Sequence, residues 1–171
     1  MKGLIFSILL LTGTILFYGN TELKRVEEYT ILVDAYKTLL VNLEKLRFRF
    51  PKIVLAQIMH ETDRLRSPIY LQCNNCFGMK HNNRGLSKGE CRGHAWYGSI
   101  KDSLKDYLLY QQIYLPFYEH YRYFRSVTTE EEYLQFLEWI KYAEDPDYAE
   151  KIKVWVNRIE ETEILIRKQH K

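Results

Sequence analysis

Glu61 is the acidic residue whose setting points to chemistry. In the run PKIVLAQIMHE from Pro51 to Glu61, Val54, Ile58 and Glu61 recur at i, i+4 and i+7, so on a helix the carboxyl continues an apolar stripe instead of facing water. It also falls in the last turn, where the helix dipole is negative. Burial and dipole both disfavour the ionised form and raise the pKa. A carboxylic acid still protonated near neutrality can protonate a leaving oxygen, the acid half of glycosidic bond cleavage. The competing reading of the same residue is a surface ion pair with Arg64 or Arg66.

Hydrolysis needs a second group. Between Cys73 and Lys101 the only acidic residue is Glu90, in Lys88-Gly89-Glu90-Cys91. At about 6.5 to 9.5 Å from Glu61 it would activate water for inversion, and at about 5 Å it would suit a covalent intermediate. A group on the substrate itself is the alternative, and Glu90 can equally be a solvated turn residue. Tyr142 offers a phenol that can orient water, or a core tyrosine at a helix end. Asn75, Phe77, His94, Trp96, Tyr97 and Tyr148 are the candidates to line a sugar groove by stacking and hydrogen bonding, although Phe77 and Trp96 can also pack beneath it. Asp102 and Asp106 read as a solvated face beside Lys101 and Lys105.

The cysteines Cys73, Cys76 and Cys91 leave one thiol over after any pairing, with Cys91 bridging either Cys73 or Cys76. One Cys-x-x-Cys with irregular histidines is a weak zinc signal, and no metal or organic cofactor is expected.

These residues must be positioned by helices. Apolar positions from Val26 to Leu46 recur at three- and four-residue steps and predict a long amphipathic helix. A second helix runs from Pro51 to about Thr62. From Ser67 to Tyr97 the helical pattern breaks among Pro, Asn and Gly, which reads as a loop followed by a small irregular hairpin. A helix from Ile100 ends near Pro116, and Tyr118 to Arg125 reads as a loop flanking the groove. Thr129 and Glu132 form a capping box that opens the next helix, and Asp145-Pro146 starts the last.

The chain has 171 residues, enough for one ordinary domain, and 25 Lys plus Arg against 22 Asp plus Glu leave a net charge of +3, too weak a bias for nucleic acid. At its start, Lys2 precedes an uncharged apolar run from Gly3 to Thr21. As a helix this run would be about 28 Å long, close to the hydrocarbon thickness of a bilayer. No small-residue cleavage site follows it, so 1–21 reads as a signal peptide or, with slight preference, a membrane anchor, and 22–171 as the working domain outside the cytoplasm.

Four ordered motifs change the weighting of Glu61. Phe50-Pro51-Lys52-Ile53-Val54-Leu55-Ala56-Gln57-Ile58-Met59-His60-Glu61 and Asn74-Asn75-Cys76-Phe77-Gly78-Met79-Lys80 resemble the "LAQ-x-x-x-E" helix and "NN-x-FG-x-K" of the glycoside hydrolase family 73 glucosaminidases. Tyr97-x-Ser99-x-x-x-Ser103-x-x-Asp106-Tyr107 is similar to the family's "Y-x-S-x-x-x-S-x-x-DY", and Tyr142 to Ile152 to its "YATDP-x-YAEKI". The resemblance covers roughly 50 to 155. One departure stands out: members with "ES-x-WG-x-S" carry tryptophan and glycine where this chain has Arg64 and Leu65.

The resemblance implies an α+β, mostly α-helical, lysozyme-like domain with a small irregular β-hairpin insert. It implies Glu61 as the catalytic acid, Tyr142 as an active-site tyrosine and peptidoglycan glycan strands as partner, cut at the β-1,4 bond after N-acetylglucosamine. The expected protein is a monomeric envelope enzyme, exported or tethered through its N-terminal segment. A wall-binding or assembly module of the same fold without turnover, or a phage lysin with muramidase-type cleavage, is the alternative.

Overall fold

The computed structural model describes residues 33–81 and 86–169, with side chains to 164. The chain divides into two compact units, 1–37 and 38–171. The expected segment 1–21 lies outside the described residues, and among the described ones no helix is long and apolar enough to cross a membrane.

Helix α1 is described over 33–45, and within the second unit its Leu39 and Leu43 are buried. The other elements are α2 (Pro51–Glu61), α3 (Pro68–Cys73), β1 (Gly89–Cys91), β2 (His94–Trp96), α4 (Ile100–Tyr121), α5 (Glu130–Trp139) and α6 (Tyr148–Gln169). Among the described residues, a mostly helical architecture with one two-stranded antiparallel sheet agrees with the expected fold class.

The centre of the domain is α2. Seven consecutive residues, Ile53 to Met59, are buried, so α2 is covered on all sides and not by one stripe alone. Its main neighbour is α6, which also packs on α5, and α4 meets α5 in turn. Gln57 is the polar residue in this run. It accepts a hydrogen bond from the Tyr107 hydroxyl at 2.9 Å and donates to the Tyr148 hydroxyl oxygen at 3.2 Å, which removes the penalty of burying an amide.

Three local expectations are corrected. Pro68 to Cys73, read as loop, forms α3, because Pro68 stands at a first-turn position and the Ser67 hydroxyl accepts the Tyr70 amide at 3.2 Å. Helix α4 continues past Pro116 to Tyr121. Loss of one backbone donor is outweighed there by burial of Leu115 and Tyr118, the latter with its ring 5.7 Å from that of Phe136 and 5.4 Å from that of Trp139. Asp106 is buried rather than solvated and accepts the Tyr97 hydroxyl at 2.7 Å. The capping box at Thr129 and Glu132 is present as expected.

The second lobe joins α3, the 74–80 loop and the β1–β2 hairpin. Register pairs Gly89 with Trp96, Glu90 with Ala95 and Cys91 with His94. A Cys73–Cys91 disulfide ties the hairpin to α3 and resolves the two pairings left open, so Cys76 is the free, buried cysteine. Burial pushes the Cys76 thiol up to about 12, which leaves it inert as a nucleophile.

Candidate active site

Glu61 is the last residue of α2, and the chain turns away sharply behind it. The Thr62 hydroxyl donates to the Ile58 carbonyl at 2.6 Å and accepts the Leu65 amide at 2.9 Å, while Asp63, Arg64 and Leu65 all take left-handed φ values of +44°, +59° and +64°. Leu65 stands where the family pattern carries glycine, the residue that adopts this conformation without steric cost. Its side chain is buried, and that burial offsets the strain. Arg66 pairs with Asp63 at 3.1 Å and Arg64 lies 3.8 Å from the same carboxylate, so both cations that would have bridged Glu61 are directed to Asp63 instead.

The Glu61 carboxyl is half-buried among groups from three other segments. Its Oε1 accepts the Tyr148 hydroxyl at 2.9 Å, from the first residue of α6. A Cβ added at Gly78 would stand 3.5 Å from Oε2, so the backbone of the 74–80 loop faces the acid. The ring of Tyr142, in the link between α5 and α6, lies 5.5 Å from that of Tyr148. Burial raises the Glu61 pKa, and the Tyr148 hydrogen bond opposes the rise without cancelling it.

The hydroxyl that touches Glu61 is itself oriented. The Tyr148 oxygen receives the Gln57 amide, so its proton is directed to the carboxyl, and the other end of Gln57 receives the Tyr107 hydroxyl. This Tyr107–Gln57–Tyr148–Glu61 chain extends from the helical core to the acid. Gln57 and Tyr107 were not singled out as site residues from sequence. The available signal was a lone amide inside the uniformly apolar IVLAQIM run, which must find partners when buried.

Asn75 is fully buried. It donates to the carbonyls of Met79 and Ala95, both at 2.9 Å, and accepts the amides of Phe77 at 3.1 Å and Met79 at 3.2 Å. Its hydrogen-bonding capacity therefore shapes the loop and joins it to β2. Phe77 is buried, with its ring stacked on Tyr107 at 3.9 Å. The Tyr142 hydroxyl donates to the Phe77 carbonyl at 2.9 Å. Tyr97 is buried against Asp106, and the Ser103 hydroxyl accepts the Cys76 amide at 3.0 Å. The "Y-x-S-x-x-x-S-x-x-DY" residues thus buttress the loop that faces Glu61.

The remaining candidates lie on the hairpin. Glu90 is exposed on β1 and Trp96 is exposed on β2. The half-buried His94 bridges the Arg92 carbonyl at 2.9 Å and the Lys80 ammonium at 3.3 Å. Among the described residues no His, Cys, Asp or Glu group is assembled to hold a metal ion. A separate cavity of about 240 Å³, lined among others by Arg47, Arg49, Gln111 and Glu119, contains none of the residues around Glu61.

The mannosyl-glycoprotein endo-beta-N-acetylglucosaminidase family, whose short name is Glucosaminidase, matches residues 39–161. The comparison with curated proteins gives no match. Among solved structures, the catalytic domain of the autolysin Auto from Listeria monocytogenes aligns with a TM-score of 0.53 at 21% identity, covering 79% of this chain and 85% of that one. At that identity the likeness speaks for a shared fold, in keeping with the lysozyme-like expectation. The family match spans most of the chain and contains every residue built around the acid: the chain belongs to the glucosaminidase family and is a glycoside hydrolase of the endo-β-N-acetylglucosaminidase type.

Proposed function

We propose that the chain cleaves the glycan of peptidoglycan at the β-1,4 bond after N-acetylglucosamine, with Glu61 as general acid. The observation that carries this reading is a single half-buried carboxyl, raised in pKa by burial and held by an oriented tyrosine hydroxyl beside the Gly78 backbone. The proton that burial helps Glu61 to retain passes to the glycosidic oxygen as the bond breaks. The Tyr148 hydrogen bond then stabilises the carboxylate left behind.

Glu90 is the second carboxylate in this proposal. It is solvated on β1 where Glu61 is shielded, and such a pairing of unlike environments divides acid and base roles between two carboxyl groups. Water activated by Glu90 attacks the anomeric carbon, and its proton goes to the Glu90 carboxylate. Tyr142 and Phe77 hold the loop beside the acid, and His94 and Trp96 present a polar and an aromatic surface to the sugar from the hairpin. Because the substrate is wall glycan, the working compartment is the cell envelope or the exterior; the reading of 1–21 as signal or anchor is compatible with that placement.

The test is digestion of purified peptidoglycan followed by mass spectrometry of the muropeptides. New reducing ends on N-acetylglucosamine, absent with Glu61→Gln, are expected. Reducing ends on N-acetylmuramic acid, or wild-type turnover by the variant, overturn the proposal.

A further inference from the structure

We propose that one face of α4 is an extended binding track for the glycan strand, leading away from the acid site; this rests on the glycan-cleaving reading above. The track starts at Tyr142. The Tyr110 ring lies 6.3 Å from that of Tyr142, and the Tyr114 ring lies 4.5 Å from that of Tyr110. Phe117 and Tyr121 continue the series at the same helical phase. Steps of 4, 3 and 4 residues from Tyr110 to Tyr121 keep all four rings within an arc of roughly 60°, over a length of about 16 Å. At its far end the Trp139 ring meets Tyr121 at 5.6 Å.

These rings are not core. The buried face of α4 is carried by Leu104, Tyr107, Gln111, Leu115 and Tyr118, and the track lies beside it. Tyr114 is 39% exposed, Phe117 62%, Tyr121 65% and Trp139 40%, a row of large aromatic side chains that folding leaves in water. An exposed row of large rings costs solubility and contributes little to stability, so a ligand that covers it is the economical explanation.

The chemistry of the surface favours carbohydrate. Between Lys105 and Arg122 the helix has no Lys or Arg, and Arg122 is ion-paired with Glu132. An anionic lipid surface would call for basic residues along the apolar face. Pyranose rings present apolar C–H faces that stack on aromatics and hydroxyls that reach phenolic tips, and the track supplies both. Its continuity with Tyr142 places it on a route that a polymer already held at Glu61 can follow.

The experiment compares wild type with the Phe117→Ala/Tyr121→Ala double variant. Both side chains are mostly solvated, and circular dichroism and thermal melts confirm that the fold is kept. Kinetics are measured on long purified glycan strands and on a tetrasaccharide of the same repeat. Co-sedimentation with insoluble peptidoglycan is measured in a Glu61→Gln background. The expected result is an increase of about tenfold in KM on long strands and a matching loss of sedimentation, with the loss on the tetrasaccharide at least about fivefold smaller. Equal losses on both lengths, no loss, or a loss of anionic-vesicle binding or self-association in place of glycan binding overturns the proposal. The binding arm needs no turnover, so active Glu61→Gln would sink the acid assignment while leaving the track to be judged on sedimentation.

Discussion

The acid side and the hairpin side of the molecule are built by opposite means. Glu61 ends a helix buried from Ile53 to Met59 and is held by a hydrogen-bonded chain that extends through Tyr148 and Gln57 to Tyr107. Glu90 sits exposed on a three-residue strand, in a lobe tied down by Cys73–Cys91 and by the hydrogen bonds of Asn75. A group that must keep a proton needs shielding and a stiff frame. The proposed partner carboxylate meets water on the surface, where a covalent tie suffices to position it.

Glu61→Gln tests the shielded side most severely. The proposed general-acid role requires a loss of turnover of about 10³-fold or more. Stability should move the other way. A carboxyl whose pKa is raised by folding makes the protein less stable as pH rises from the ordinary glutamate range through the raised value, so glutamine relieves a penalty that grows across that window and is full above it. Thermal melts at acid and at mildly alkaline pH should show the variant gaining on wild type at the alkaline end alone. A uniform loss of stability at both would mean that Glu61 is structural.

Cys91→Ser is the corresponding blow to the hairpin side. The bridge spans a separation of 18 residues, and closing such a loop is worth about 3 kcal/mol in the chain-entropy account, read as a fall in the urea midpoint. Activity should fall with it, because the hairpin that carries Glu90, His94 and Trp96 loses its covalent tie to α3. Glu90→Gln follows, with about a 10²-fold loss of turnover and no change in melting temperature, as fits a solvated side chain. Retention of full activity would assign water activation to the substrate's acetamido group.

Tyr148→Phe separates positioning from proton donation. The lost hydrogen bond favours the ionised acid, so without it the Glu61 pKa rises further and the alkaline limb of the pH–rate profile moves to higher pH, with roughly a tenfold fall in rate from the less well held carboxyl. Leu65→Gly has the smallest effect. It relieves a left-handed φ of +64° and forfeits a buried side chain, so a stability change within about 1 kcal/mol is expected in chemical denaturation.

Much of this was legible before the fold. The stripe ending in Glu61, Pro51 at a first turn and the capping box at Thr129 are local signals, and each acts within about one turn of helix. The ordered motifs carried the family. Less legible were α3 and the passage of α4 through Pro116, where tertiary packing overrides a breaking residue. Asn75 and Phe77 were read as groove residues because polar and aromatic types in a Gly-rich insert suit a sugar, but the same types also suit a buried loop scaffold, and type alone does not separate the two.

What sequence by itself determined is the inventory: one shielded acid on a helix, one carboxylate in an insert, three cysteines with one to spare, and helical periodicities that demand a common core. Tertiary structure alone decided which thiols meet, which way the arginines after Glu61 turn, and that a tyrosine from α6 reaches the acid across 87 residues of chain. Periodicity and propensity act over a few residues, whereas the proton affinity of a carboxyl depends on whatever lies within a few ångströms in space.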